Sequence, residues 1–160
     1  MTHIGVTGHQ SIPPAATAFV SGKMNRVIRR AASKGPVWGV TSLAVGADQM
    51  FAELVLQSGG RLHVIVPSAA YSTTFGDEAD LERYDALLAS ATTVEHLNFG
   101  TPTSDAFLAA GRRVVDLSDK LLAVWDGRPS RGLGGTADVV GYAASTHTPV
   151  EILWPAGVRR

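Results

Sequence analysis

The feature that most constrains this chain is an alternation. Six short apolar runs, His3–Val6, Val37–Thr41, Leu62–Val66, Thr93–Leu97, Leu121–Trp125 and Val150–Trp154, are separated by stretches with helical spacing. Most of the runs are continuously apolar and rich in Val, Ile or Leu, as in strands of a parallel sheet covered on both faces. After the first run, Ala16, Phe19, Val20, Met24, Val27, Ile28 and Ala31 recur at intervals of three and four, with Lys23, Arg26, Arg29 and Arg30 mostly on the remaining arc. Ser11 is a candidate cap for this helix, and Pro13 and Pro14 suit a first turn whose amides are unpaired anyway. Similar patterns cover Ala47–Gln57, Glu78–Ser90, Ser104–Leu117 and Thr136–Ser145. Strand and helix alternating in this way predict right-handed βαβ units. The expected fold is therefore α/β: a Rossmann-like, doubly wound, mainly parallel sheet of about six strands with helices on both faces.

A chain of 160 residues needs no second domain, so residues 1–155 are read as one Rossmann-like domain and 156–160 as a short tail. The hydrophobic content of 45% beside 18% charged residues suits a globule and argues against a disordered chain. Lysine plus arginine equals aspartate plus glutamate at 14 each, so no global field draws the chain to a polyanion, and nucleic acid is not expected as a partner. No apolar run is long enough to cross a bilayer, and no membrane partner is expected. Cysteine is absent, which removes thiolate catalysis and disulfides and fits a reducing compartment. Residues 1–6 enter a strand without a leader of signal type, so a cytoplasmic location is expected.

In open α/β sheets ligands collect at the carboxyl ends of the strands, where strand order reverses. The loops after the strands therefore carry the functional reading. The first strand is followed by Thr7, Gly8, His9 and Gln10, readable as a binding turn or as an ordinary strand-to-helix turn. The second ends in small residues, with Ser42, Gly46 and Ala47 giving a ligand access to amides at a helix start. Asp48 there either complements the helix dipole or accepts a ribose hydroxyl. After the third strand, Pro67 precedes Tyr71 and Phe75, which are suited either to stacking on a base or to lying half-buried in a loop.

The loop after the fifth strand is the richest. Asp126 and Gly127 lead to Gly132, Gly134, Gly135 and Thr136 immediately before a helix. Glycines so placed cost backbone entropy unless close approach or positive φ is required, and they make a phosphate cradle. The spacing matches neither the dinucleotide fingerprint nor a P-loop, so neither a nicotinamide dehydrogenase nor an NTPase is expected. The five histidines lack zinc-site spacing; no metal or other cofactor is expected, and only His9 is kept as a site candidate. Asp77, Glu78, Asp80 and Glu82 suit a helix start and are assigned no chemistry.

Taken in order, Thr7-Gly8-His9, Gly46-Ala47-Asp48, Ala123-Val124-Trp125-Asp126-Gly127 and Gly134-Gly135-Thr136 resemble the SLOG superfamily, which includes the lonely-guy phosphoribohydrolases. The resemblance spans nearly the whole chain and implies a Rossmann-like domain that binds nucleotides or nucleotide-derived ligands. In the enzymatic branch a Pro-Gly-Gly-x-Gly-Thr-x-x-Glu motif holds phosphate and supplies a catalytic glutamate. Here the glutamate position is Val139, and Asp138 lies one residue early, about 100° away around a helix. Arg112 and Arg113 precede Leu117-Ser118-Asp119 as an active-site arginine does in those enzymes, at a shorter spacing, and are equally readable as solvated arginines.

Three functions follow. The first is binding of a nucleotide-like small molecule, glycine-loop amides holding phosphate and Asp126 or Asp48 orienting the sugar. The second is an N-glycosidic hydrolase or transferase of phosphoribohydrolase or deoxyribosyltransferase type, with Asp126, Asp48 or Arg112 as catalytic candidates. The third is an assembly protein on a scaffold that has lost its ligand. A homo-oligomer is expected, by resemblance and because Phe107, Leu108, Val114 and Val115 offer more apolar surface than one sheet can cover.

Overall fold

The structure, a computed structural model, describes residues 1–129 and 135–160. Six parallel strands, β1 (Thr2–Gly8), β2 (Val37–Thr41), β3 (Arg61–Val66), β4 (Thr93–His96), β5 (Lys120–Val124) and β6 (Val150–Ile152), form one sheet in the order β4-β3-β2-β1-β5-β6. Between them run α1 (Pro14–Ala32), α2 (Ala47–Gln57), α3 (Glu78–Ala89), α4 (Ser104–Asp116) and α5 (Thr136–Ser145), with a 3-10 turn at Tyr71–Thr74. The chain steps outward from β1 to β4, then crosses to β5 on the other side of β1. Strand order thus reverses between β1 and β5, the position where an α/β sheet opens a crevice.

Each strand sends alternate side chains to opposite faces. Ile4, Val6, Leu62, Val64, Leu122 and Val124 join one buried cluster with Met24 and Ile28 of α1, Phe51 and Val55 of α2, and Leu87 of α3. Val40, Ile65 and Leu121 join a smaller one with Ala110, Val114 and Val115 of α4 and Val139 and Ala143 of α5. The first three helices thus cover one face and the last two the other. Gly5 sits under α4, where a Cβ would collide with the Ser118 hydroxyl and lie 2.9 Å from Val114 Cγ1. Only glycine lets α4 pack this close to the central strand.

Three expectations change. The residue before α1 is Pro13, not Ser11, and no side chain caps that helix start. Residues 156–160 pack back on the domain: Trp154 Nε1 donates to the Val158 carbonyl at 2.8 Å. Of the four residues read as surplus apolar surface, Val114 and Val115 are buried within the chain, and Phe107 packs half-buried against Tyr71 at 6.2 Å between ring centroids. Their surface no longer argues for an oligomer.

Candidate functional site

The loops leaving β1, β2 and β5 are stitched to one another. The His9 amide donates to the Val124 carbonyl at 3.1 Å, and the Ala47 amide donates to the His9 carbonyl at 3.3 Å. Gly46 lies at φ +85°, and a Cβ on it would collide with the Gln10 carbonyl oxygen, so both its backbone angle and its neighbour require glycine. Leu43, fully buried, is held at φ +58°, an uncommon angle for a non-glycine residue. Its amide is held by Thr41 Oγ1 at 3.0 Å, and its carbonyl accepts from Gln49 Nε2 at 3.3 Å.

These loops surround a cleft of about 900 Å³. Thr7, Gly8, His9, Ser42, Asp48, Pro67, Gly135 and Thr136, all read from the sequence as ligand contacts, line it together. Gly46 and Ala47 lie behind its wall as the stitch just described. Asp126 and Gly127 also lie outside the lining, while their neighbours Trp125, Arg128 and Pro129 belong to it. Gly132 and Gly134 lie outside the described residues. Tyr71, Phe75 and Phe107 give the cleft an aromatic wall, with Tyr71 edge-on to Phe75 at 5.4 Å.

Asp48 is buried at 7% exposure, and its Oδ2 accepts from the Ala44 amide at 3.3 Å. Burial raises its pKa to about 6, against the opposing pull of hydrogen bonds from Ala44, Thr41 and Ser42. A carboxyl that titrates near neutrality in a cleft is able both to accept a sugar hydroxyl and to exchange a proton.

Asp126 has a different task. Its Oδ1 accepts from the Arg128 amide at 3.1 Å, His9 Nε2 lies 3.3 Å from the same oxygen, and Arg160 Nε lies 3.5 Å from Oδ2. Arg160 Nη1 also meets His9 Nδ1 at 2.9 Å. The Asp126 amide in turn donates to His9 Nε2 at 3.1 Å, so both ring nitrogens of His9 are engaged at this corner. Burial pushes the Asp126 carboxyl up, but the Arg128 amide, His9 and Arg160 together outweigh it and hold its pKa below the ordinary value. Asp126 therefore fixes His9 and residue 160 rather than facing the cleft.

The start of α5 opens into the cleft. Gly135 is its N-cap residue at φ −73° and ψ 176° and, being glycine, supplies no side-chain cap. Val139, at the position where the resemblance puts a glutamate, is buried and lines the cleft without an acidic group. Arg112 is turned away: exposed on α4, its guanidinium lies over the Tyr142 ring at 5.3 Å. Its neighbour Gly111 lines the cleft, and one residue of helix rotates a side chain by about 100°. Arg113 is also engaged elsewhere, its Nε donating to Glu95 Oε1 at 2.8 Å. Sequence reasoning missed Arg160, which lines the cleft, and the strained Leu43.

No family model and no curated protein matches the chain. Solved structures do. DNA processing protein A from Helicobacter pylori, described for its single-stranded DNA binding mode, is 17% identical with a TM-score of 0.68 over 94% of this chain and 64% of that one. DNA processing protein A from Streptococcus pneumoniae is also 17% identical, with a TM-score of 0.67 over 94% of this chain and 50% of that one. This chain thus spans less than two thirds of either protein. The molybdenum cofactor binding protein from the phototrophic bacterium Rippkaea orientalis is 18% identical, with a TM-score of 0.57 over 94% of this chain and 75% of that one.

These likenesses fix the fold as Rossmann-like α/β. They also correct one expectation. Nucleic acid was excluded as a partner on the balanced total charge, yet the same fold serves single-stranded DNA binding in the Helicobacter pylori protein, so a zero sum excludes nothing here.

Proposed function

We propose that the chain is a SLOG-type domain whose cleft binds a nucleotide or nucleotide-derived ligand, phosphate at the first turn of α5 and sugar toward Asp48. The observation that carries this reading is the glycine-led start of α5 opening into a cleft of about 900 Å³ where strand order reverses. The positive end of the helix dipole and the amides of a first helical turn favour an anion there. Thr7, Ser42 and Thr136 add hydroxyls, and the Tyr71 wall offers a base an apolar face. The side chains of the described residues leave the cleft open, which speaks against an assembly role on a vestigial site. Solved proteins of this fold named for binding single-stranded DNA or molybdenum cofactor support a binding role.

The test is a thermal-shift screen with adenosine monophosphate, cyclic di-nucleotides and NAD, followed by chromatography for released base. Stabilisation by one of them is expected, and Gly135→Val should weaken that ligand on the order of a hundredfold by removing two charge-assisted bonds. With φ at −73°, valine brings no backbone strain there, and Tm measured beside affinity separates lost binding from lost folding. A Gly135→Val protein that keeps full affinity, or a screen without any stabilising compound, would overturn the reading.

One observation favours a second reading, hydrolysis or transfer at the N-glycosidic bond. Asp48, with its pKa raised to about 6, is the one carboxylate candidate that lines the cleft, and it suits acid-base or nucleophilic work near neutral pH. Free base appearing with wild type and not with Asp48→Asn would select it.

A further inference from the structure

Neutrality of the whole chain hides a segregation. Residues 1–47 hold five cations, Lys23, Arg26, Arg29, Arg30 and Lys34, and no carboxylate, whereas residues 48–119 hold eleven carboxylates against four cations. All five lie on α1 or its exit. Lys23, Arg26 and Arg30 share an arc of about 60°, Lys34 continues it past the end of the helix, and the stripe runs for about 16 Å.

The stripe lines a groove of about 280 Å³ between α1 and the amino ends of β1 and β5, with Lys120 on the far wall. This is the edge of the sheet opposite the cleft. Glu151 is the single carboxylate in the lining and is already engaged, accepting from Lys120 Nζ at 2.8 Å. Among the described residues none of the five α1 cations takes part in a salt bridge. Their mutual repulsion is thus met by no ion pair among the described residues. The helix dipole accounts for Arg29 and Arg30 in the last turn, but not for Lys23, Arg26 or Lys120.

We propose that this groove docks the phosphodiester backbone of single-stranded DNA. A concave run of cations several residues long faces successive phosphates of one strand, and neutralising each releases condensed counterions. A membrane surface is a poorer fit, because an interfacial helix must insert its apolar face, and Ala16, Val20, Met24 and Ile28 of α1 are wholly buried against the sheet. No aromatic side chain lines the groove, so binding is through the backbone and indifferent to base.

Fluorescence anisotropy with labelled oligothymidylate and oligoadenylate tests this. Both should bind wild type at low salt with similar affinity, log K falling with log salt by about 0.7 for each phosphate neutralised. Arg26→Glu with Arg30→Glu should cost at least tenfold in affinity and flatten the salt slope by about 1.4, two contacts' worth. Arg26→Gln with Arg30→Gln should fall between the two. Both positions are exposed, so circular dichroism and Tm should match wild type, and the nucleotide-induced thermal shift from the cleft should persist.

Failure of wild type to bind either oligonucleotide would overturn the proposal, as would undiminished binding by the folded charge-reversed protein. So would loss of strand binding in Gly135→Val with retention in the charge-reversed protein, which would move the strand to the cleft. Salt-sensitive self-association in sedimentation without oligonucleotide binding would assign the groove to the acidic half of a second copy, and binding to anionic phosphatidylserine vesicles alone would assign it to a membrane. Cleft binding of nucleotide and groove binding of a strand are read separately, so each reading stands or falls by itself.

Discussion

At the carboxyl edge of the sheet, loops leaving β1, β2 and β5 gather glycines, hydroxyls and one buried carboxyl around the larger cleft. At the amino edge, the same central strands begin beside a smaller groove walled by lysine and arginine. The first edge is built from backbone: its shape depends on φ angles and amide bonds that tolerate little change. The second is built from long exposed side chains that the fold hardly uses. Substitutions at the carboxyl edge should therefore trade stability against binding, whereas those at the amino edge should alter charge alone.

The largest effect should come from Gly46→Val. A branched side chain at φ +85° against the Gln10 carbonyl combines backbone strain with a collision, so stability should drop by about 3 kcal/mol or more. Urea unfolding measures this, and an unchanged midpoint would mean that the loops after β1 and β2 are not interlocked.

Asp48→Asn comes next and carries a pH signature. Well below pH 3.8 the carboxyl is protonated in both folded and unfolded chains and costs nothing. Between its unfolded value of 3.8 and its folded value of about 6 the unfolded chain ionises first, so stability falls as pH rises and stays low above pH 6. Asparagine removes that penalty, and at pH 8 it should stabilise the protein on the order of 2–3 kcal/mol, with no gain at pH 3. Urea midpoints for both proteins across this range check the sign, and equal profiles would place the titration elsewhere.

Arg160→Ala should act more weakly. The Asp126 carboxyl is held below its ordinary value, so its contribution is present at neutral pH and lost as pH falls through its folded pKa, the opposite sense to Asp48. The arginine is partly exposed, and its removal should cost less than about 1 kcal/mol at pH 7 and nothing in strong acid. The smallest effect belongs to the amino edge, where Arg26→Gln should move Tm by no more than a degree or two. A large loss there would erase the distinction between the two edges.

How much of this was legible follows from range. Strands and helices are written in local periodicity, and α2 and α5 run over the residues that spacing assigns to them, Ala47–Gln57 and Thr136–Ser145. The meeting of Gly8, Ser42 and Gly135 around one cleft was readable because parallel topology dictates which loops share an edge. Arg160 was not, since its contact with His9 joins positions 151 apart and has no local pattern. Ser11 looked like a cap because residue preference says nothing of where the chain first turns. Arg112 was a candidate through the resemblance alone, at a spacing that did not match, and helix rotation carries it onto Tyr142. The basic stripe was lost in a sum: fourteen against fourteen conceals that the first carboxylate is residue 48.

The central place of β1 has a consequence for how the molecule comes into being. β1 pairs with β2 locally, but its other partner is β5, and the bond from the His3 amide to Asp119 Oδ2 spans 116 positions. Closing so long a loop is paid in chain entropy before any contact rewards it, so this pairing is expected to lag behind assembly of β1 to β4. The cleft cannot exist earlier, because the bond from His9 to Val124 and the start of α5 both follow from it. During synthesis, then, the sheet is expected to gain most of its strands before the cleft at its carboxyl edge exists.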